Sequence, residues 1–321
     1  MQPNPRARRA PLVLAVLLPL AAAVLLPSPV RAQDQHRAIL KEKLEARLRA
    51  ITSEFDGVAG VQVVDLTTGE RIGVNDDLIF PQGSAIKVAL LLELFRRAEQ
   101  EPGLLLRHAP VRAADQVGGS GVVQHFTDGG SELSLEDLAV LMITLSDNTA
   151  TNMLIDALGM DAVNALMTSI DAPYTRLQRR MIQPEASARG EENLSTPADA
   201  ARVMERLARC DLPMSETSCF RVQEILEIPK GGPLRAPIPS SVPVAFKPGG
   251  IEGVATAWAL VSLPDRPYVL TVMTNYGVDG DATVRRVSEA AWEYFYRLAR
   301  STDHGARVPL DVVRRRRGGG T

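Results

Sequence analysis

The chain of 321 residues has the composition of a globular protein, with 45% hydrophobic and 23% charged residues and a net charge of −2. This balance excludes a low-complexity or intrinsically disordered chain. Residues 1–32 contain four arginines and no acidic residue, which leaves 32 basic against 38 acidic residues, a net charge of −6, for residues 33–321. A chain with this charge has no electrostatic reason to bind nucleic acid, and we expect no nucleic-acid partner.

The first 32 residues have the pattern of a cleaved export signal. Basic residues over Arg6–Arg9 precede an uncharged, apolar run over Pro11–Pro27, and small residues follow at Val30 and Ala32, positions −3 and −1 of a cleavage site. A single membrane anchor is the alternative, but the run has only 17 residues and is interrupted by Pro19. We therefore expect an exported protein, periplasmic or secreted, without stable membrane insertion after cleavage.

The chain has two cysteines, Cys210 and Cys219, separated by eight residues. In an oxidising compartment this pair predicts one local disulfide, with two free thiols as the alternative. The sequence contains neither a Cys-x-x-Cys nor a His-x-x-x-His pattern. It therefore predicts no metal site, and no motif indicates a cofactor.

The first elements of the exported chain are a helix, a hairpin and a second helix. Apolar residues at helical spacing predict a surface helix over Arg37–Ile51. Two β-rich segments flank a turn over Thr67–Glu70 and predict a hairpin over Val58–Val74. The segment Ser84–Phe95 is apolar almost all round, which predicts a buried helix.

The middle of the chain is predicted to be helical and its end to return to strands. Ser134 opens a capping box before one helix, and Thr196-Pro197 has the N-cap and first-turn proline of another. The predicted helices are Leu135–Leu145, Thr149–Leu158 and Pro197–Ala208, and a closing helix is Ala282–Leu298. The predicted late strands are Pro243–Phe246, Val254–Leu263 and Tyr268–Asn275.

Strands at both ends with helices between them predict the fold class α/β (α+β). We expect one antiparallel sheet built from both ends of the mature chain, flanked by helices, with an all-helical insertion. The predicted domain covers residues 33–302, with the sheet part in 33–82 and 225–302 and the helical part in 83–224. Residues 303–321, with four arginines before three glycines, predict a disordered tail. A basic tail could touch an anionic surface, although a solvated tail without function is the simpler interpretation.

Ser84-Ala-Ile-Lys87 places a hydroxyl and an amine three residues apart, and therefore on one face of the predicted helix. Ser84 stands at the helix N-terminus, where the helix dipole favours developing negative charge. Lys87 is placed to act as the base that a serine nucleophile needs, provided that burial lowers its pKa. Taken alone, the pair favours an ordinary surface serine and lysine.

Two further motifs give the pair a chemical context. Ser146-Asp-Asn148 lies 62 residues after Ser84, and Lys247-Pro-Gly-Gly250 lies 101 residues further on a predicted strand. Taken separately, Ser146-Asp-Asn148 is typical of the end of one helix followed by the N-cap of the next, and Lys247-Pro-Gly-Gly250 is typical of a bulge or turn. In this order and at these separations, the three motifs resemble the active-site set of class A β-lactamases and penicillin-binding proteins.

The resemblance extends over nearly the whole mature chain. It includes the hairpin before the serine helix, Gly119-Ser-Gly121 before the helical region, and Thr175-Arg-Leu177 at the start of an omega-like loop. The resemblance implies a β-lactamase-like fold, with Ser84 as the acylated nucleophile and Lys87 as its proton partner.

The resemblance also implies roles for the other two motifs. Ser146 would relay a proton to the leaving nitrogen, and Asn148 would hold the side-chain amide of the substrate. Lys247 and Gly249 would bind the substrate, with Lys247 supplying positive charge for its carboxylate. The backbone N–H groups of Ser84 and Gly250 would form the oxyanion hole.

The chain departs from the family at Pro248, where the family has threonine or serine. Proline has no N–H, but backbone groups alternate along a strand, so residues 248 and 250 point the same way. If the N–H of Gly250 faces the cleft, Pro248 costs the sheet no hydrogen bond. The expected loss is a hydroxyl for the substrate carboxylate.

A second departure lies in the omega-like loop, where the family has the glutamate that activates water for deacylation. The family pattern Glu-Pro-Glu-Leu-Asn matches best at Gln183-Pro-Glu-Ala-Ser187, after a two-residue insertion. Gln183 cannot accept a proton, and the loss of a general base costs about 10²- to 10⁴-fold. Glu185 could substitute if the loop path differs, although a solvent-exposed Glu185 is the simpler expectation.

These observations predict a serine β-lactam hydrolase that acts through an acyl-enzyme on Ser84, with deacylation impaired by Gln183. The alternative is a penicillin-binding-like protein or a peptidoglycan carboxypeptidase that acylates without efficient β-lactam turnover. Either interpretation implies a small-molecule β-lactam or peptidoglycan-like substrate, and a monomer is the default expectation.

Overall fold

A computed structural model describes Met1, residues 29–302 and residues 304–308. Most of the predicted export signal, residues 2–28, and most of the predicted tail, residue 303 and residues 309–321, lie outside the described residues. The described α-helices are α1 (Pro29–Glu54), α2 (Lys87–Ala98), α3 (Leu135–Thr144), α4 (Asn148–Leu158), α5 (Met160–Ser169), α6 (Pro184–Ala188), α7 (Pro197–Arg209), α8 (Glu216–Glu227) and α9 (Gly280–Ala299). Short 3₁₀ helices cover Gly83–Ile86, Ala113–Asp115 and Val123–His125.

Three sheets are formed by nine described strands. The strands are β1 (Val58–Asp65), β2 (Arg71–Val74), β3 (Phe80–Pro81), β4 (His108–Pro110), β5 (Glu132–Ser134), β6 (Leu194–Ser195), β7 (Val244–Ile251), β8 (Val254–Val261) and β9 (Tyr268–Asn275). The main sheet has five antiparallel strands in the order β2-β1-β9-β8-β7, and the pairs β3-β6 and β4-β5 are separate.

The main sheet joins the two ends of the described chain, because β1 pairs along its whole length with β9. In this register Val63 lies opposite Leu270 and Val64 lies opposite Val269. The helices α2 to α8 lie between β1 and β9 in the sequence. The predicted fold class, an antiparallel sheet flanked by helices, is confirmed.

Alternate side chains of the sheet pack into two different cores, as the period of two in a strand requires. Val63 and Leu270 belong to the core that the sheet forms with α1 and α9. Val64 and Val269 belong to the core that the opposite face forms with the helical layer. Both faces are therefore covered, and the central strands read as continuous apolar runs.

The helical layer surrounds α2, and all residues of Lys87–Phe95 are buried, as the sequence predicted. Two of these buried residues are ionisable. Glu93 pairs with Arg96 at 2.7 Å, and Lys87 reaches the functional motifs described below. Among the described helices, none combines the length and the apolar character needed to cross a bilayer.

Several elements differ from the sequence-based prediction. The helices α5, α6 and α8 were not predicted, and Ser84 lies in a 3₁₀ turn that leads into α2. Strand β7 runs on to Ile251, because its pairing with β8 continues through Pro248. A sheet edge tolerates the missing N–H there, since one side of an edge strand has no ladder partner.

Cys210 and Cys219 form a disulfide between the C-terminal cap of α7 and the first turns of α8. Cys210 takes a left-handed conformation, with φ of 49°. This conformation ends α7 and turns the chain sharply, which brings the two Cα atoms to 5.7 Å.

Candidate active site

The segment before Ser84 is tied to the sheet by the buried side chain of Gln82. Its amide nitrogen donates to Phe80 O at 2.8 Å, and its amide oxygen accepts from Trp258 Nε1 at 2.9 Å. Its backbone oxygen accepts from Thr256 Oγ1 at 2.8 Å. Because Trp258 and Thr256 belong to β8, these bonds position the half-buried Ser84 relative to the sheet.

Strand β7 lies directly against this serine turn. A Cβ added to Gly249 would lie 2.3 Å from Gln82 O and 2.5 Å from Ala85 N, so only glycine fits. A Cβ added to Gly83 would lie 2.8 Å from the backbone nitrogen of Gly250. The nitrogen of Gly250 therefore faces the serine turn, away from β8. Pro248, two residues earlier on the edge strand, turns its nitrogen to the same side.

The three motifs meet at the hydroxyl group of Ser146. Lys87 Nζ donates to Ser146 O at 2.7 Å, to Ser146 Oγ at 3.2 Å and to Asn148 Oδ1 at 3.0 Å. From the other side, Lys247 Nζ donates to Ser146 Oγ at 3.1 Å and to Pro248 O at 2.9 Å. The hydroxyl of Ser146 therefore bridges the two lysines.

Burial changes the proton affinity of both lysines. Desolvation lowers the pKa of Lys87 well below its usual value, the charge of Lys247 lowers it further, and Asp147 partly opposes the shift. Desolvation together with the charge of Lys230 lowers the pKa of Lys247 to about 7. Lys247 is therefore able to lose or hold a proton near neutral pH, and burial makes the neutral amine of Lys87 easier to reach than that of an exposed lysine.

Ser146 owes its position to the tight turn between α3 and α4. It lies in the left-handed region with φ of 53°, and its carbonyl faces Lys87. The next residue, Asp147, caps α4 by accepting from Ala150 N at 2.9 Å and also accepts from the backbone of Val122 and Val123. A Cβ on Gly121 would lie 2.2 Å from the Asp147 side chain, so glycine is needed for this packing.

A cleft of about 520 Å³ opens in front of the serine turn. Its lining includes Ser84, Asn148, Gln183 and Gly250, which come from four separate parts of the sequence. Lys87 and Lys247 lie buried behind the bridging serine. Glu252, on the turn between β7 and β8, is the one acidic residue among the described residues that line this cleft.

The omega-like loop forms one wall of the cleft. Gln183 lines it, and its side-chain oxygen accepts from Arg180 N at 3.0 Å. Glu185 points outward from α6 and is exposed. Ser187 also lines the cleft, and its hydroxyl donates to Glu192.

An ion pair closes the neck of this loop. Arg179 donates to Glu192 Oε2 from Nη2 at 2.8 Å and from Nε at 3.1 Å, and both side chains are largely buried. Asn193 accepts from the backbone of Gln178 at 2.8 Å and of Arg179 at 3.1 Å. These contacts bring residues 179 and 192 together and hold the loop against the cleft.

The structure thus brings the residues of the three motifs together at the cleft and behind it. Gly249 packs behind the serine turn, and Glu185 faces away. Sequence reasoning missed Gln82, the Arg179–Glu192 pair and Lys230, because none of them lies in a recognisable short motif. The only hint in the sequence was the position of Gln82, two residues before Ser84. Its burial, which gives it a structural role, cannot be inferred from a single residue.

A second cavity, of about 580 Å³, lies between α1 and α9 and is lined by residues such as His36, Arg266 and Arg297. None of the three motifs contributes to it, so the candidate site rests on chemistry rather than on cavity size. In the described part of the chain, no group of three or more His, Cys, Asp or Glu side chains could hold a metal ion.

Comparison with known proteins identifies similar sequences. Residues 43–295 match the model of the Beta-lactamase enzyme family. β-Lactamase L2 of Stenotrophomonas maltophilia is 31% identical over 195 residues, which cover 58% of this chain and 64% of that protein. A β-lactamase of Rhodobacter capsulatus is 30% identical over 203 residues, which cover 62% of this chain and 64% of that protein. The chain therefore spans slightly less than two thirds of the length of these relatives.

Solved structures with the same fold include two kinds of protein. An ancestral class A β-lactamase is 32% identical, with a TM-score of 0.72, over 78% of this chain and 100% of that chain. A β-lactamase from Sphaerobacter thermophilus is 30% identical, with a TM-score of 0.71, over 79% and 97%. A protein named PBP-A is 25% identical, with a TM-score of 0.72, over 79% and 96%.

Proposed function

Because the chain belongs to the β-lactamase enzyme family, we propose that it is a serine hydrolase of the class A type that opens β-lactams through an acyl-enzyme on Ser84. The observation that carries this proposal is the hydrogen-bonded chain from Lys87 through Ser146 to Lys247, at a cleft lined by Ser84. A structural protein would have no reason to bury two lysines on one hydroxyl, since each burial costs free energy.

Acylation follows from this chain of groups. Ser84 Oγ bonds to the lactam carbonyl carbon and gives its proton to the neutral amine of Lys87. Lys87 Nζ lies 3.2 Å from Ser146 Oγ, which passes a proton to the lactam nitrogen as the carbon–nitrogen bond breaks. The products are an ester on Ser84 and a ring-opened amine. The lowered pKa of Lys87 supports its role as the base.

The remaining motif residues bind the substrate in this proposal. The backbone N–H groups of Ser84 and Gly250 stabilise the oxyanion, and one such donor contributes about 3–4 kcal/mol. Asn148 holds the side-chain amide of the substrate, and Lys247 holds the carboxylate end. Gly249 contributes by letting β7 pack closely against the serine turn. Pro248 offers no hydroxyl there, so binding of the carboxylate depends more heavily on the charge of Lys247.

The second candidate function is that of a penicillin-binding-like protein or a peptidoglycan carboxypeptidase, which would keep or slowly release a β-lactam acyl group. It is favoured by Gln183, which lines the cleft but has no carboxylate with which to activate water. The fold similarity to PBP-A is compatible with this candidate.

We also propose that the chain is exported with cleavage after Ala32 and acts as a monomer in the periplasm or outside the cell. The charge pattern of residues 1–32 supports export. The disulfide supports it as well, because disulfides persist in oxidising compartments.

The test is to mix the protein with a penicillin and to follow its intact mass and the hydrolysed drug over time. An adduct that forms and then disappears, with stoichiometric excess of product, supports the β-lactamase. An adduct that persists without product supports the penicillin-binding alternative. Ser84→Ala is the control, and an adduct on that variant, or none on the wild type, refutes Ser84 as the nucleophile.

A further inference from the structure

The cleft wall formed by the omega-like loop contains a hydroxyl–carboxylate pair outside the three motifs. Ser187 lines the cleft and is half-buried, and its Oγ donates to Glu192 Oε1. Glu192 itself lies behind the cleft surface, with its other oxygen held by Arg179. The carboxylate of Glu192 is therefore connected to the cleft only through the hydroxyl of Ser187.

The local fold of the loop creates this contact. The turn after α6 is closed by bonds from Gly190 N to Ser187 O at 2.9 Å and from Glu191 N to Ala186 O at 3.0 Å. Gly190 has φ of 81°, which lets the chain reverse there. The reversal returns Glu192 alongside Ser187, while the Arg179 pair fixes the direction of its carboxylate.

The hydrogen bonds already made determine what Ser187 and Gln183 present to the cleft. The proton of Ser187 is committed to Glu192, so the hydroxyl offers a second partner only lone pairs. The oxygen of Gln183 accepts from Arg180 N, so its NH₂ group remains as a donor. A water molecule between the two would accept from Gln183 and donate to Ser187, an orientation suited to losing a proton.

We propose that Ser187 and Glu192 form a proton relay that activates the deacylating water in place of a carboxylate at position 183. This inference rests on the proposed function, because it requires an acyl-enzyme on Ser84. Ser187 is the catalytic residue that contacts the water. Glu192 acts through Ser187 as a positioning residue and takes up the proton.

The step balances without any other reactant. The water oxygen bonds to the acyl carbon while its proton passes to Ser187 Oγ and the serine proton passes to Glu192 Oε1. When the bond between the acyl carbon and Ser84 Oγ breaks, the proton returns from Glu192 through Ser187 and cleft water to Ser84 Oγ. One water is consumed, and the hydroxyls and the carboxylate return to their starting states.

The experiment measures acylation and deacylation separately, by stopped-flow mixing with a penicillin and by the decay of the acyl-enzyme in intact mass. Ser187→Ala leaves the Arg179–Glu192 ion pair in place and removes only the relay hydroxyl. We expect its deacylation rate to fall about 100-fold or more while its acylation rate changes less than about threefold. Ser187→Thr keeps the hydroxyl and should deacylate within about tenfold of the wild type.

Two further variants separate a relay from a structural role. Glu192→Gln should slow deacylation as Ser187→Ala does, whereas Glu185→Gln, on the exposed face of α6, should leave both rates unchanged. Adding Gln183→Glu to Ser187→Ala supplies a carboxylate directly in the cleft and should restore deacylation. A loop that was merely distorted would slow acylation too and would not be rescued.

Different results overturn the two proposals. If Ser187→Ala deacylates like the wild type, the relay is wrong and the hydrolase stands. If the wild-type adduct never clears, the relay is wrong and the penicillin-binding alternative holds. If no adduct forms on the wild type, the proposed function fails and the relay fails with it.

Discussion

The pH dependence of Lys247 gives a sharp test of how the cleft binds its substrate. Burial, assisted by the charge of Lys230, lowers the pKa of Lys247 to about 7. Only the protonated form attracts a carboxylate, and kcat/KM reports the free enzyme. Above pH 7 the charged fraction falls about tenfold per pH unit, so at pH 9 we expect kcat/KM for a carboxylate-bearing penicillin to be about 100-fold below its maximum.

The opposite limb of the profile belongs to Lys87. This lysine must be neutral to act as a base, and burial lowers its pKa well below the usual lysine value, so the active fraction of the enzyme rises with pH as Lys87 loses its proton. The two lysines share the hydroxyl of Ser146, so the two midpoints describe the pair rather than either residue alone. We therefore expect a bell-shaped dependence of kcat/KM on pH.

The assay measures the second-order rate constant for acylation from about pH 5.5 to about pH 9.5 with wild type and Lys247→Arg. Arginine stays charged throughout, so the falling limb should move beyond the range in this variant. A penicillin methyl ester supplies an independent arm, because without a carboxylate its falling limb should flatten in the wild type. A falling limb that persists unchanged in both arms would refute the assignment to Lys247.

Three further changes have expected outcomes that follow from the same contacts. Lys247→Met should stabilise the fold by about 1–4 kcal/mol near pH 6, since it removes a buried charge. This gain in stability should shrink between about pH 7 and about pH 10, because in that range Lys247 loses its proton in the folded wild type but keeps it in the unfolded chain. Thermal unfolding of both proteins across this pH range measures the difference, and a difference that does not change with pH would contradict the reasoning. Cys210→Ser should lower the free energy of unfolding by about 2.6 kcal/mol, the loop-closure entropy for the sequence separation of 9 residues that the disulfide to Cys219 closes. A loss under about 0.5 kcal/mol in urea unfolding would argue against this entropic origin. Gly249→Ala would place a methyl group 2.3 Å from a backbone oxygen of the serine turn, so we expect its acylation rate to fall at least about tenfold. The control is Gly231→Ala, which has open space around the added methyl group and should acylate at the wild-type rate. Equal acylation rates for these two glycine variants would show that the close approach of β7 is not needed.

The motif residues were identifiable from the sequence because their chemistry is local and their order is distinctive. Ser84 and Lys87 lie three residues apart, and Ser146 and Asn148 flank a cap residue. The proximity of these groups in space could only be inferred from the family resemblance. No local rule brings residue 87 to residue 146.

The loop residues show the limit of the sequence most clearly. The match to the family's omega-loop pattern placed Gln183 where the family has its general base and allowed Glu185 as a substitute base. The structure turns Glu185 outward and brings Glu192 to Ser187 instead. This outcome depends on a chain reversal at Gly190 and on an ion pair across the neck of the loop, and neither leaves a periodic signal.

By itself, the sequence determined the β-rich apolar segments that form the strands, the caps of α3 and α7, and the chemistry within each motif. Each of these depends on residues close together along the chain. Only the tertiary structure decided that β7 is an edge strand pressed on the serine turn and that two lysines share one hydroxyl. Burial, long-range pairing and the resulting pKa shifts arise when distant segments exclude water together, and no single segment contains that information.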